Sequence, residues 1–199
     1  MAAVTDLSAR ERLLDAAERL FLESGCDGVS VRAINAAAGM NPAAVHYHFG
    51  SREDLVSALL ESRLAPLWER PLAELARRAA PSPEELADVV ITPLAALAKE
   101  PSGRLYLHLL ARTVLGDHRP AWTSRWFGLT PWAGLLRSSQ PGLSTHEAKQ
   151  RWTLAFQLIL HTFGAPLAAG PLASAPSAAA VRRLRAFVTA GLTSTMGER

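Results

Sequence analysis

The sequence is poor in cysteine: Cys26 stands alone among 199 residues. No internal disulfide can form, and a reducing cytoplasm is the simplest setting. The opening "MAAVTDLSARER" has no apolar segment behind its charges, so no secretory leader is expected there. A strong charge of one sign is also missing. The formal net charge is only +3. Within the first fifty residues Arg10, Arg12, Arg19 and Arg32 face Asp6, Glu11, Asp15, Glu18, Glu23 and Asp27. Composition therefore does not announce nucleic acid, and any case for DNA must rest on arrangement. The signatures of catalysis are absent too. There is no G-x-S-x-G elbow, no glycine-rich phosphate loop and no G-x-G-x-x-G behind a strand. His146-Glu147 begins a zinc-helix pattern, but Gln150 stands where the second histidine belongs. His46 and His48, two residues apart on a helix, point about 200° apart and cannot share an ion. Cys26 has no activating neighbour in sequence and reads as a small buried residue. The expectation is no enzyme, no metal and no cofactor. Asp, Glu, Lys and Arg are missing from Thr153 to Val181, a run long enough to cross a bilayer. Gly164, Pro166, Gly170, Pro171 and Pro176 break that run and His161 sits inside it. It reads as a buried helix followed by a loop, with no membrane span.

What is present is helical punctuation. Ser8 to Glu11, Ser82 to Glu85 and Ser144 to Glu147 have capping-box spacing, and Ser51 to Asp54 has it in looser form. Leu13, Leu14, Ala17, Leu20 and Phe21 make one apolar face, and Gly25 follows as a stop. Helices are expected at about 9–24, 31–38, 42–48, 52–79, 84–99, 102–115, 122–138, 145–164 and 178–196. Pro66 and Pro71 should kink or break the fourth. The connection at 165–177 is long for a helix pair. No stretch alternates with period two for long enough to be a strand. The fold class is all-α, with about nine helices.

Residues 28–50 read "GVSVRAINAAAGMNPAAVHYHFG". Ser30 can cap a short helix that Gly39 closes. Asn41 can cap a second, with Pro42 at its first position. Two short helices joined by a turn containing glycine form the helix-turn-helix pattern, whose second helix enters the DNA major groove. With Val45 and Phe49 facing the core, Ala43 and Tyr47 point outward, Ala44 and His46 flank them, and His48 lies toward the core edge. Small residues let a backbone approach base edges, and an alanine methyl can meet a thymine methyl. Tyr47 and His46 suit phosphate oxygens. Arg52, in the first turn of the next helix, sits where an anion is favoured.

The run "LLDAAERLFLESGCDGVSVRAINAAAGMNPAAVHYHFGSREDLVSALL" resembles the DNA-binding domain of TetR/AcrR-type transcriptional regulators. The resemblance covers about 30% of the chain at motif level. It implies an N-terminal three-helix helix-turn-helix domain, residues 1–50, and a C-terminal helical ligand-binding and dimerisation domain, residues 51–199. It also implies roles for single residues. Ser30 resembles the family's phosphate-binding cap, and Arg32 a contact to base or backbone. Asn41, Pro42, Ala43 and Ala44 match base-reading positions. Tyr47 and His48 match backbone contacts, and Arg52 the basic residue after the recognition helix. His46 departs from the pattern, where Tyr or Asn is more usual. Histidine ordinarily titrates near pH ~6.5, so a mild pH effect on binding is expected.

The body says less. Candidates for a pocket between helices are Trp68, Tyr106, His108, Arg112, Trp122, Trp126, Phe127, Trp132, Gln157 and His161. Trp122 and Trp126 should share a helical face. Arg112 could answer a carboxylate if it faced inward. The last two helices are apolar on one face, and in the family such helices pair across a two-fold axis. Trp152, Phe156, Ile159, Leu160, Phe163, Leu184, Phe187, Val188 and Leu192 are the candidates for that interface, some of which must instead serve the chain's own core. The resemblance implies a homodimeric, ligand-responsive regulator, a repressor or an activator, on a palindromic double-stranded operator. A ligand-independent DNA-binding protein is the alternative. The effector would be a fatty acid or acyl compound, as in family members with a similar motif, or an aromatic metabolite or drug.

Overall fold

The computed structural model describes residues 8–78, 80–117, 120–164 and 175–194. These residues form nine α-helices and one 3-10 turn, with no strand among them. In chain order they are α1 (Ala9–Ser24), α2 (Val31–Ala37), α3 (Ala44–Phe49), α4 (Arg52–Arg77), α5 (Pro83–Leu97), α6 (Pro101–Leu115), α7 (Leu129–Ser139), α8 (Thr145–Gly164) and α9 (Ala178–Thr193). The 3-10 turn, Arg125–Phe127, precedes α7.

The caps act where serine spacing placed them. Ser8 Oγ accepts from the Glu11 amide at 3.2 Å, and Ser30 Oγ from the Ala33 amide at 3.2 Å. Ser82 and Glu85 form a full reciprocal capping box. α3 corrects the reading of its own start. It begins at Ala44, and Asn41 Oδ1 accepts from the Ala43 amide at 2.9 Å. Asn41 and Pro42 thus build the turn before the helix, an Asx-type turn, and do not cap or open the helix.

What fixes α3 against α2 is Asn35, 0% exposed. Its Nδ2 donates to the Pro42 carbonyl at 2.6 Å, and its Oδ1 accepts from the Val45 amide at 3.1 Å. One buried amide satisfies two backbone groups of the next helix's entry, and so fixes the angle between the two short helices. Gly39, at φ 66, makes the sharp reversal between them.

α4 runs through Pro66 and Pro71 without the expected break. Each proline removes one intrahelical hydrogen bond and costs up to about 3 kcal/mol in isolation. The buried stripe Leu59, Leu60, Leu64, Trp68, Leu72 and Leu75 holds the helix against its neighbours and outweighs that cost. α4 packs on α1 and α3 at one end and on α5, α6 and the 3-10 turn further along. It therefore belongs to both the head and the body.

In the body, α8 lies against α6 and α7, and α9 lies against α5 and α8. α8 meets α6 closely at Gly164: an added Cβ would stand 2.2 Å from the Leu107 carbonyl oxygen. The apolar residues expected at a dimer face are mostly spent on this packing. Trp152, Ile159, Leu160, Leu184, Val188 and Leu192 are buried within the chain and have no surface left for a partner. Phe156 and Phe163 are half-buried against the core. Phe187, 68% exposed, remains outside, joined by Leu154 on α8 at the same exposure. No helix among the described residues is long and apolar enough to cross a membrane. The expected break at 165–177 and the last residues of the expected helix 178–196 lie largely outside the described residues.

Candidate nucleic-acid interface and aromatic cavity

The outward face of the head collects most of the residues that the motif nominated. Ser30, Arg32, Asn41, Pro42, Ala43, His46 and Tyr47 are exposed. Tyr47 is 86% exposed. His48 is half-buried, with its ring edge-on to Tyr47 at 5.0 Å. Ala44 is a correction: it is 3% exposed and packs in the core with Val45. Because the helix starts later than expected, only Ala43 of the two alanines is bare.

Arg52 is a second correction. Its Nε donates to the Val29 carbonyl at 3.2 Å, its Nη2 donates to the Cys26 carbonyl, and its guanidinium lies 5.4 Å from the Phe21 ring centroid. This arginine ties α4 to the loop after α1, with Nε and Nη2 both donating inside the protein. His46 is constrained as well. Its Nδ1 lies 2.8 Å from the Gly50 carbonyl, which can only accept, so Nδ1 carries the proton. Nε2 is then a lone-pair acceptor in the neutral ring and a donor only in the imidazolium.

Behind this face, polar ties join head and body. Arg63 on α4 reaches three acids of α1: Glu11 at 2.8 Å, Asp15 at 2.5 Å and Glu18 at 2.9 Å. Burial works against its charge, but the hydrogen bonds to Glu11 and Glu18 outweigh this and hold its pKa above the ordinary arginine value. Tyr106 on α6 donates its hydroxyl proton to Glu18. Its pKa is raised, by burial first and then by that bond and the Glu18 charge. Arg112, also on α6, pairs with Asp27 at 2.6 Å and so lowers the Asp27 pKa. Burial pushes the Cys26 thiol up, which keeps it protonated and unreactive.

The body holds a partly open cavity of about 210 Å³. Of the ten residues nominated for a pocket, it gathers Trp68, Trp122, Trp126, Phe127, Trp132 and Gln157. It leaves out four. Tyr106 and Arg112 are engaged with the head. His108 holds the Gly164 carbonyl at 3.1 Å through Nδ1, and His161 is exposed. The helix expected at 122–138 is divided, so Trp122 and Trp126 do not share a helical face. Trp122 stands on extended chain before the 3-10 turn and packs on Phe127 at 4.7 Å. Trp126 meets Trp132 at 5.8 Å, and the Trp132 Nε1 donates to the Trp126 carbonyl at 2.8 Å. Phe156, nominated for the dimer face, lines the cavity instead, 5.3 Å from Trp132. Ile159 and Leu160 line it too. The Trp68 Nε1 is buried and has no hydrogen-bond partner among the described residues.

Residues 13–59 match the family model described as bacterial regulatory proteins, tetR family. The chain thus carries a segment similar to the tetR family, from α1 into the start of α4. Over 82 residues it is 37% identical to the HTH-type transcriptional regulator BetI of Rhizobium meliloti (strain 1021), covering 41% of this chain and 39% of that protein. The chain thus spans about two fifths of that relative's length. The structure resembles a TetR-family transcriptional regulator from Streptomyces coelicolor, with TM-score 0.62 and 19% identity over 93% of this chain and 98% of that one. It also resembles SmeT of Stenotrophomonas maltophilia in complex with triclosan, with TM-score 0.52 and 22% identity over 79% of each chain. At these identities the likeness is one of fold.

Several residues of the head and body escaped sequence reading. Asn35 sits mid-helix, where asparagine carries no cap signal, so nothing local marked it as the bracket between α2 and α3. Val90, Leu94, Leu110, Val114, Leu129 and Thr153 line the cavity. Their apolar spacing is that of any core helix, and only the packing of α4 to α8 decides which of them face the empty space.

Proposed function

We propose that this chain is a TetR-family DNA-binding transcriptional regulator whose operator affinity is set by a small, largely apolar or aromatic ligand. The observation that carries the DNA half is Tyr47. A large aromatic left in water, on a helix whose Phe49 packs inward, has no role in folding and is placed for an external surface. Ser30, Arg32, Asn41, Pro42, Ala43, His46 and His48 are the other residues assigned to that surface. The small Ala43 permits close approach to base edges, while the Tyr47 hydroxyl supplies a phosphate donor. Two such heads, related by a two-fold axis, would sit about 34–36 Å apart on a palindromic operator. Phe187 and Leu154 support a dimer face on α8 and α9, since both leave large apolar surface in water. The genome the regulator reads places it in the cytoplasm.

The ligand half rests on the cavity. Its described lining carries no ionisable side chain. Arg112, the residue best suited to a carboxylate, is held outside it by Asp27. An uncharged aromatic fits this site better than a fatty acid, because a buried carboxylate without a counter-charge is strongly disfavoured. Communication follows from α6, which lines the cavity through Leu110 and Val114 and holds the head through Tyr106 and Arg112. A ligand that displaces α6 changes these ties, and by linkage DNA weakens ligand binding by the same factor.

The test is a gel shift on DNA from the region upstream of the protein's own gene. Tyr47→Ala should weaken binding by about tenfold or more while leaving the melting temperature unchanged. Wild-type affinity in that variant would remove α3 from the interface. Affinity should also fall steeply with salt as phosphate counterions are released.

A further inference from the structure

One carboxylate ties the cavity wall to the helix that enters the head. Glu61, half-buried on α4, accepts from the Thr123 amide at 2.6 Å, the Ser124 amide at 2.7 Å and the Thr123 hydroxyl at 2.7 Å. These bonds anchor the non-helical segment that carries Trp122, Trp126 and Phe127, three of the aromatic residues lining the cavity. The same segment has few local bonds of its own: among the described backbone bonds, Phe127 to Ser124 and Gly128 to Arg125 close the short turn. Its remaining hold is the ring contacts of Phe127 on Trp68 and Trp126 on Trp132, with one hydrogen bond from the Trp132 Nε1 to the Trp126 carbonyl at 2.8 Å. An ionised acceptor with three donors is the strong kind of hydrogen-bonded contact, and it lies at the edge of the wall, where water can replace it.

We propose that Glu61 is a positioning residue that straps the aromatic wall to α4 and narrows the cavity's mouth, and that ligand enters readily when its three bonds to Thr123 and Ser124 open. The proposal rests on the reading of the cavity as a ligand site. It adds a device to that reading: access is governed by a polar strap outside the apolar lining. Glu61 lies two residues before Arg63, which grips the acids of α1. Release of the wall therefore occurs on the same turn of α4 that holds the head. The apolar stripe of α4 does not depend on the strap, so loss of Glu61 leaves the helix and the head in place.

Two measurements on the full chain test this, with Glu61→Ala, the milder Glu61→Gln and Thr123→Val. The first is amide hydrogen exchange at Thr123 and Ser124. Glu61→Ala should exchange about tenfold faster at both positions, with α4 and α8 unchanged, and Glu61→Gln should fall between it and wild type. The second is stopped-flow fluorescence with N-phenyl-1-naphthylamine, an uncharged aromatic probe. Association should quicken by about tenfold in Glu61→Ala, with dissociation quickened alongside it, and by less in Thr123→Val. Wild-type exchange at Thr123 and Ser124 in Glu61→Ala would overturn the strap. Fast exchange with an unchanged association rate would overturn its role as a gate and leave the cavity a ligand site. Failure of the probe to bind wild type and variant alike would overturn the gate too, and would count against the cavity reading itself.

Discussion

The head and the body of this chain are both helical and both close-packed, yet they reach a unique structure by different means. The head takes its shape from polar brackets: Asn35 between α2 and α3, Arg52 between α4 and the loop after α1, and Arg63 between α4 and α1. The body takes its shape from aromatic volume. Trp132, Trp152 and Phe156 pack on one another with centroids 5.0 to 5.3 Å apart, and Trp126 abuts Trp132 edge-on. Hydrogen bonds have narrow geometry and a defined count, so a head built on them holds α3 at a fixed angle. Apolar contacts are non-directional and allow a packing that still contains a cavity. A fixed reading face beside a chamber with room for a ligand is what the proposed regulation needs.

The sharpest way to break this contrast is at Trp152, which is wholly buried. Trp152→Ala should cost about 3–5 kcal/mol by chemical denaturation, enough to threaten the fold. Trp152→Phe should cost far less, since it keeps a ring and removes an Nε1 that has no partner among the described residues. Next is Asn35→Ala, which leaves the Pro42 carbonyl and the Val45 amide without their bracket. A loss of about 2–4 kcal/mol is expected, with weakened DNA binding even where the chain remains folded. If Asn35→Ala behaved like an ordinary surface change, the polar-bracket account of the head would fail.

The smallest effect is expected at Glu85, in the capping box of α5. The Ser82 amide, then Arg78, hold its pKa below the ordinary carboxylate range. A lowered folded-state value means the group stabilises above its unfolded pKa and loses that contribution as pH falls through the folded one. The melting temperature of Glu85→Ala should therefore lie slightly below wild type at neutral pH, and the gap should close in acid. A gap that widened in acid would reverse the sign and refute the capping role.

The same contrast explains what could be read in advance. In the head, the informative residues sit next to one another in sequence: Ser30 three before Ala33, Gly39 at the turn, Val45 and Phe49 one turn apart. Local geometry alone put Tyr47 on the outer face. Sequence reading failed where a distant partner decides. Arg52 looked like a phosphate anchor because its position favours anions, but the Cys26 and Val29 carbonyls take its Nη2 and Nε donors. Ala44 looked bare because the expected helix began too early. In the body, the tryptophan-rich segment was visible, but not its break into an extended stretch and a 3-10 turn, which Glu61 holds from 62 residues away. Trp152 and Phe156 were candidates for either a dimer face or the chain's own core, because an amphipathic helix shows which side is apolar, not what covers it.

By itself, then, the sequence determined the helical class, the caps, the helix-turn-helix signature and the outward placement of Tyr47, because each follows from neighbours within one or two helical turns. Only the tertiary structure decided which arginine is a bolt, which aromatics line a cavity and which apolar residues stay outside. Those outcomes depend on contacts between residues far apart in the chain, and no local period encodes them.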